Sequence, residues 1–210
     1  MSELLTLTDR ERDALRETAN IGAGHAATAL SQMTGRKIMI TVPTVTIASL
    51  EDVPSRIEEN EEPIAAVLMH IMGDLTGRTL LVFPRHTALS LAHLMLRRPQ
   101  NPAASFGELE QSAIKEAGNI LSGAYMNALS DFMRLLLLPS PPSLAIDMST
   151  AVLNTAYLQF GTERDMVFAV ETQFYFEGPD LDDPTQLRGF FLLLPDVASL
   201  QVILRAVRVA

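Results

Sequence analysis

One sparse polar pattern occurs twice in this 210-residue chain, with the same internal spacing both times. It runs from Asp or Ser to a Glu four residues later, an Asn three residues after that, and a Pro twenty-three residues further on. The first copy is Asp13, Glu17, Asn20 and Pro43, and the second copy is Ser112, Glu116, Asn119 and Pro142. Each member of the second copy lies 99 positions after its counterpart, which indicates an internal duplication.

The segments around the two copies follow the same order. Apolar periodicity predicts a long helix from Thr8 to about Thr34, with Thr8 or Asp9 as its cap, and a second from Phe106 or Gly107 to about Met133. Further helices are predicted over 86–97, 147–157 and 196–208, and strands over 37–42, 45–47, 64–72, 78–83, 135–138, 144–146, 166–176 and 189–194.

This order predicts one α/β (α+β) domain over residues 1–210, built from two repeated helix–three strands–helix units. The first repeat spans about 8–97, the second about 106–208, and a Pro-rich linker about 98–105 joins them. A half of this size makes a poor core alone. We therefore expect a pseudo-two-fold body with a continuous, largely antiparallel sheet flanked by helices.

Composition excludes several kinds of function. The net charge of −9 with scattered Lys and Arg argues against nucleic-acid binding. Cysteine is absent, which excludes disulfides and thiolate chemistry and favours a cytoplasmic location. No apolar run reaches the roughly eighteen residues that a membrane-spanning helix needs, so no membrane insertion is expected. The spacing of His70, His86 and His93 does not match a metal site, so no metal is expected on this chain.

The repeated pattern places one carboxylate beside one carboxamide on a helix. Residues i, i+4 and i+7 share a helix face, so Asp13, Glu17 and Asn20 form one stripe. Asn does not titrate but can donate and accept hydrogen bonds, so it can hold and orient a water molecule. Such a pair suits a reaction whose electrophile and metal come from a partner, such as hydrolysis of an acyl phosphate. A solvated helix face without function is the alternative for any single copy.

Two glycines interrupt the first helix at Gly22 and Gly24. Each costs about 1 kcal/mol relative to alanine in a helix interior. They indicate a close approach of another backbone, or a local irregularity beside a site.

The two spaced motifs resemble the signature of the CheC-type phosphatases of bacterial and archaeal chemotaxis, the group that includes CheC, CheX and FliY. Three further segments are similar to the CheC branch: NIGAGHAATALS from Asn20, EAGNILSGAYMNALSDF from Glu116, and PPSLAIDMSTAVL from Pro141. The resemblance covers essentially the whole chain.

This resemblance implies a hydrolase that removes phosphate from the aspartyl phosphate of a CheY-type response regulator. Asn20 and Asn119 would orient the attacking water, and Glu17 and Glu116 would pair with the regulator's lysine. The supporting residues would be Asp13, Ser112, Pro43 and Pro142. Mg²⁺ would be held by the regulator, and the deamidase CheD is a further partner of the family. The alternative is a non-catalytic adaptor or switch-like module that binds phosphorylated CheY or CheD.

Overall fold

The computed structural model describes residues 8–49, 63–99, 101, 105–158, 166–177 and 185–209. The first half contains α1 (Asp9–Thr34), β1 (Lys37–Ile40), β2 (Thr44–Ser49), β3 (Ile64–Gly73), β4 (Gly77–Pro84) and α2 (Arg85–Met95). The second half contains α3 (Glu108–Met133), β5 (Leu137–Pro139), β6 (Ser143–Asp147), α4 (Ser149–Leu158), β7 (Met166–Glu177), β8 (Thr185–Pro195) and α5 (Val197–Val209).

The two long helices correspond residue for residue. Both α1 and α3 contain 26 residues, and their first and last residues are separated by the same 99 positions as the polar motifs. The residue that follows each helix adopts a left-handed conformation, Gly35 with φ 66° and Arg134 with φ 55°. Each polar motif therefore occupies the same place on a helix of the same length.

The strands form one antiparallel sheet in the order β1–β7–β8–β4–β3–β5, with β2 also paired to β7 and β6 to β3. At its centre, β4 and β8 pair so that Leu80 lies opposite Leu192 and Leu81 opposite Phe191. The short strands β1 and β2 pair with the hairpin of the second half, and β5 and β6 pair with the hairpin of the first half. Each half therefore completes the sheet of the other.

Helices α1, α2, α3 and α5 contribute to one large hydrophobic cluster on one face of the sheet. Alternate residues along the strands point to opposite faces, so Val67 and Phe191 join this cluster whereas Ala66 and Leu192 join a smaller one that includes Val152 of α4. The four-helix face is the thicker of the two layers. It carries both polar motifs.

The predicted fold class is confirmed: the chain forms a mixed α/β domain with a continuous antiparallel sheet flanked by helices. Each half carries four strands rather than the three of the predicted repeat unit, because the segments before and after Pro43, and those before and after Pro142, form separate strands. The exchange of edge strands between the halves was not predicted. No helix within the described ranges is long and apolar enough to cross a membrane.

Candidate functional site

The side chains of Glu17 and Asn20 lie on the exposed face near the middle of α1, and Glu116 and Asn119 lie at the matching positions of α3. The helix places each Glu and its Asn on the same side, three residues apart. Their immediate neighbours are buried: Thr18 and Ala19 on α1, Ala117 and Gly118 on α3. Each polar pair is therefore presented to solvent by a helix whose opposite side is fixed in the core.

Within the described part of the chain, hydrogen bonds and ion pairs involve neither the two Glu nor the two Asn side chains. The functional groups of all four residues are thus available to a partner. By contrast, Asp13 forms an ion pair with Arg16, with 3.2 Å between Oδ1 and the guanidinium nitrogen. Both side chains of that pair are more than half exposed, so its contribution to stability is small, about 0.3–0.5 kcal/mol for a helix pair.

The other predicted supporting residues are Ser112 on α3 and the two prolines outside the helices. Ser112 is exposed one turn before Glu116. Pro43 is buried and directly precedes β2, and Pro142 is partly buried and directly precedes β6. Both prolines end the connection between the two short strands that follow each long helix. Their position favours a structural contribution to the segment after the helix.

The two polar pairs face away from one another. Helix α1 contacts α3 at Gly22, where a Cβ atom would lie 2.9 Å from Cδ1 of Tyr125 and 3.1 Å from its Cα. Because successive residues advance by about 100° around a helix, Asn20 lies about 160° around α1 from this contact. Asn119 lies about 120° around α3 from Tyr125 by the same geometry. The pairs consequently occupy the outer sides of the helix pair, one on each.

Helix α3 approaches the sheet more closely than an ordinary side chain would allow. A Cβ atom on Gly118 would lie 2.5–2.7 Å from the side-chain carbons of Val67 on β3. The counterpart of Gly118 on α1 is Ala19, which is itself buried. The glycine directly before Asn119 thus sets the distance between the second polar pair and the sheet, and the first pair has no equivalent.

Sequence reasoning did not identify the roles of the glycines within these helices. It noticed Gly22 and Gly24 but could not separate a contact inside the chain from one outside it, and it did not single out Gly118 or Gly123. Their low helix propensity was the available signal. What lies opposite each glycine depends on how the helices pack, which the pattern alone does not provide.

Chemically, each pair offers a carboxylate and a neutral amide. Among the described residues, no group of three His, Asp or Glu side chains is arranged to hold a metal ion. The arrangement can therefore bind a cationic group through Glu and position a water molecule through Asn. A reaction at this site needs its electrophile from a second molecule.

Comparison with known proteins finds similarity around both copies of the motif. The model of the CheC-like family matches residues 11–47 and 109–146, one segment for each copy of the motif. The CheY-P phosphatase CheC of Bacillus subtilis is 30% identical over 203 residues, covering 96% of this chain and 95% of that protein. The flagellar motor switch phosphatase FliY of the same organism is 33% identical over 141 residues, covering 67% of this chain and 36% of FliY.

Among solved structures, the crystal structure of FliY from Thermotoga maritima matches with a TM-score of 0.76 and 25% sequence identity. The match covers 97% of this chain and 98% of the FliY chain in that structure. Agreement in sequence over nearly the full length, together with agreement in fold, shows that this chain belongs to the CheC-like family.

Proposed function

We propose that this protein is a phosphatase that hydrolyses the aspartyl phosphate of a CheY-type response regulator, with one site on α1 and one on α3. The observation that carries the proposal is the duplicated Glu and Asn pair, exposed and unengaged at matching positions of two helices in a member of the CheC-like family. The name of the Bacillus subtilis relative, a CheY-P phosphatase, supports the same substrate.

In the proposed reaction, Asn20 or Asn119 holds a water molecule in line with the bond between phosphorus and the regulator's aspartate oxygen. The water oxygen forms a bond to phosphorus while the phosphorus–carboxylate bond breaks, which yields free aspartate and inorganic phosphate. A carboxamide suits this task because it orients water without changing its own charge. The contribution of this chain is therefore positioning, since an acyl phosphate already carries a good leaving group.

Glu17 and Glu116 serve docking in this proposal. Each carboxylate lies one turn before its Asn and pairs with a lysine of the regulator, which fixes the position of the amide relative to the phosphoryl group. Mg²⁺ belongs to the regulator, where it neutralises charge on the phosphoryl oxygens. No step requires a metal ion bound to this chain.

The partner is therefore a folded, phosphorylated receiver domain, and the proposal places the protein in the cytoplasm with it. The deamidase CheD remains a further proposed partner on the grounds of family resemblance alone. We assign no residue to its binding surface.

The test is phosphate release from a pre-phosphorylated CheY-type regulator with Mg²⁺ present, measured with and without this protein. Acceleration at substoichiometric amounts of the protein is expected, since a catalyst turns over. Binding of the phosphorylated regulator without acceleration would instead favour the adaptor or switch-like alternative. If the protein neither binds nor dephosphorylates any CheY-type regulator of the source organism, both the phosphatase and the adaptor hypotheses are wrong.

A further inference from the structure

A glycine is among the residues repeated at the same spacing as the polar motif. Gly24 lies four residues after Asn20, and Gly123 lies four residues after Asn119, again 99 positions apart. Both are inside long helices, where glycine is a poor helix former because of its backbone freedom. A repeated unfavourable residue requires a reason that applies to both helices.

Packing inside the chain does not supply that reason. A Cβ atom built on Gly24 or Gly123 would find no atom within 4 Å, once the helix's own neighbouring backbone is set aside. Gly22 and Gly118 behave differently, because a Cβ atom there would overlap with Tyr125 and with Val67. Those two glycines are needed for internal contacts.

The two kinds of glycine also differ in how they repeat. The counterpart of Gly22 on α3 is Leu121, and the counterpart of Gly118 on α1 is Ala19. The glycines that packing requires are thus unique to one helix, whereas the pair that faces open space is present on both. The repeated glycines therefore belong to the outer face that both helices share, whereas Gly22 and Gly118 serve the packing of a single helix.

Gly24 and Gly123 extend the polar stripe by one turn. Residues four apart lie one above the other on a helix, so each glycine lies directly beyond its Asn on the same side. The bare backbone there leaves a shallow gap next to the amide. A partner whose reactive group reaches Asn therefore comes close to this gap.

We propose that Gly24 and Gly123 are positioning residues that provide clearance for the regulator's backbone beside its phosphoaspartate. This inference rests on the proposed function and adds the shape of the docking face to it. A Cβ atom at either position would hold the regulator away from the Asn amide. The glycines touch no reacting atom and act by allowing the amide to reach the phosphoryl group.

The experiment replaces glycine by side chains of increasing size that are good helix formers: Gly24→Ala with Gly123→Ala, and Gly24→Leu with Gly123→Leu. Both double variants should unfold at a higher temperature than the wild type, because alanine and leucine favour the helix. The alanine variant should lose about tenfold in kcat/KM through a higher KM, and the leucine variant more. Affinity for the regulator loaded with beryllofluoride and Mg²⁺ should fall in parallel.

Gly22→Ala is the matched control, two residues from Gly24 on the inner side of the same helix. It should lower the unfolding temperature because of the overlap with Tyr125. A gain in stability together with a loss of docking is therefore specific to the outer glycines and is not explained by a structural role.

The outcomes separate this inference from the function on which it rests. If the wild type releases phosphate and the leucine variant keeps its kcat/KM and its affinity, the clearance role is wrong and the phosphatase stands. If the wild type binds the regulator without hydrolysis and the variants lose affinity, the clearance role stands and the phosphatase is wrong. Equal affinity of all variants for the loaded regulator would overturn the inference in either case.

Discussion

The polar pairs on α1 and α3 present the same exposed side chains, but different contacts fix the two helices that carry them. The N-terminus of α1 is closed by a local capping box, in which Thr8 and Glu11 bond to each other's backbone. The counterpart of Glu11 on α3 is Glu110, which pairs instead with Arg98 at the start of the predicted linker, with 2.6 Å between Nη1 and Oε1. Glu110 is largely buried there, with 10% of its side chain exposed.

The supports also differ beneath the Asn residues. Asn119 follows Gly118, which lies against Val67, whereas Asn20 follows Ala19. Duplication thus preserved the Glu and Asn residues and their spacing, whereas the residue directly before each Asn changed. The two sites therefore present the same functional groups but depend on different interactions for their position.

The strongest test of the shared demand removes both amides. Asn20→Ala and Asn119→Ala should each lower phosphatase activity, and the double variant should lose about 100-fold or more, because a water that is no longer oriented reacts slowly. Initial rates of phosphate release measure this. Asn127→Ala, an exposed Asn elsewhere on α3, is the matched control and should keep wild-type activity. A double variant with the wild-type rate would exclude the proposed mechanism.

The support beneath the second site can be disturbed alone. Gly118→Ala forces a methyl group against Val67, so it should cost about 1–3 kcal/mol of unfolding free energy and displace Asn119. In an Asn20→Ala background, where only the second site remains, the rate should fall. Ala19→Gly in an Asn119→Ala background is the reciprocal variant. Ala19→Gly should have a smaller effect, since it introduces no overlap. Equal losses of rate in the two backgrounds would argue against different supports.

The two helix N-termini should respond unequally to the loss of one side chain. Arg98→Ala leaves the buried Glu110 carboxylate without its partner and should lower the free energy of unfolding by about 1–3 kcal/mol. Thr8→Ala removes an exposed cap and should cost about 1 kcal/mol. Chemical denaturation of the two variants measures the difference. If Arg98→Ala lowers the free energy of unfolding no more than Thr8→Ala does, the ion pair between Arg98 and Glu110 does not stabilise the start of α3.

The opposite orientation of the sites predicts their stoichiometry. Because the outer faces of α1 and α3 point away from each other, two regulators should bind one chain at the same time. Titration calorimetry with the beryllofluoride-loaded regulator should give two per chain, falling to one after Glu17→Lys or Glu116→Lys. These changes place a like charge against the regulator's lysine. One regulator per wild-type chain would show that the first excludes the second.

The last helices of the two halves offer the smallest contrast. Asp196 accepts a hydrogen bond from the Ser199 backbone at 2.7 Å and one from the Thr76 hydroxyl, whereas no side chain caps α2 at Pro84. Partial burial by itself raises the pKa of Asp196, but the hydrogen bonds from Thr76, Ser199 and Ala198 outweigh it and lower the pKa below the ordinary value of an aspartate. This carboxylate therefore stabilises the fold above its unfolded pKa, and the contribution is lost as the pH falls through the lowered value.

Asp196→Ala should accordingly cost about 1 kcal/mol at pH 7, or about 2–4 °C in Tm. The difference in melting temperature between variant and wild type should narrow as the pH falls below the ordinary pKa of an aspartate and through the lowered pKa of Asp196, which melting curves across the acid range can follow. A gap that stays constant with pH would mean that the charge of Asp196 makes no contribution.

Much of this architecture follows from local chemistry. The cap at Thr8, the left-handed residue Gly35 and the apolar period between them are enough to place α1 within a residue or two. The exposed stripe of Glu17 and Asn20 follows from helix geometry. The sheet order does not, because nothing in the four residues of β1 states whether they pair with β3 or with β7. That choice depends on which hairpin edge is open once both halves have folded together.

The glycines show the same division. Sequence identifies Gly22 and Gly24 as equally unfavourable in a helix. Only the packed structure shows that one lies against Tyr125 while the other has nothing opposite it. Physical information about a site beyond its polar residues therefore comes from the neighbours that tertiary packing brings to it.

Strands β1 and β2 pair with β7, and β5 and β6 pair with β3, so each half is held by two strands of the other half. A protease cut in the 98–105 segment would leave two fragments that stay associated through the four strands β1, β2, β5 and β6. Either fragment expressed alone would carry a hairpin with an open edge and two short strands without a pairing partner. Two copies of the same fragment could pair these strands with each other's hairpins and so form a twofold dimer. The single chain can thus be understood as such a dimer with its subunits tied together.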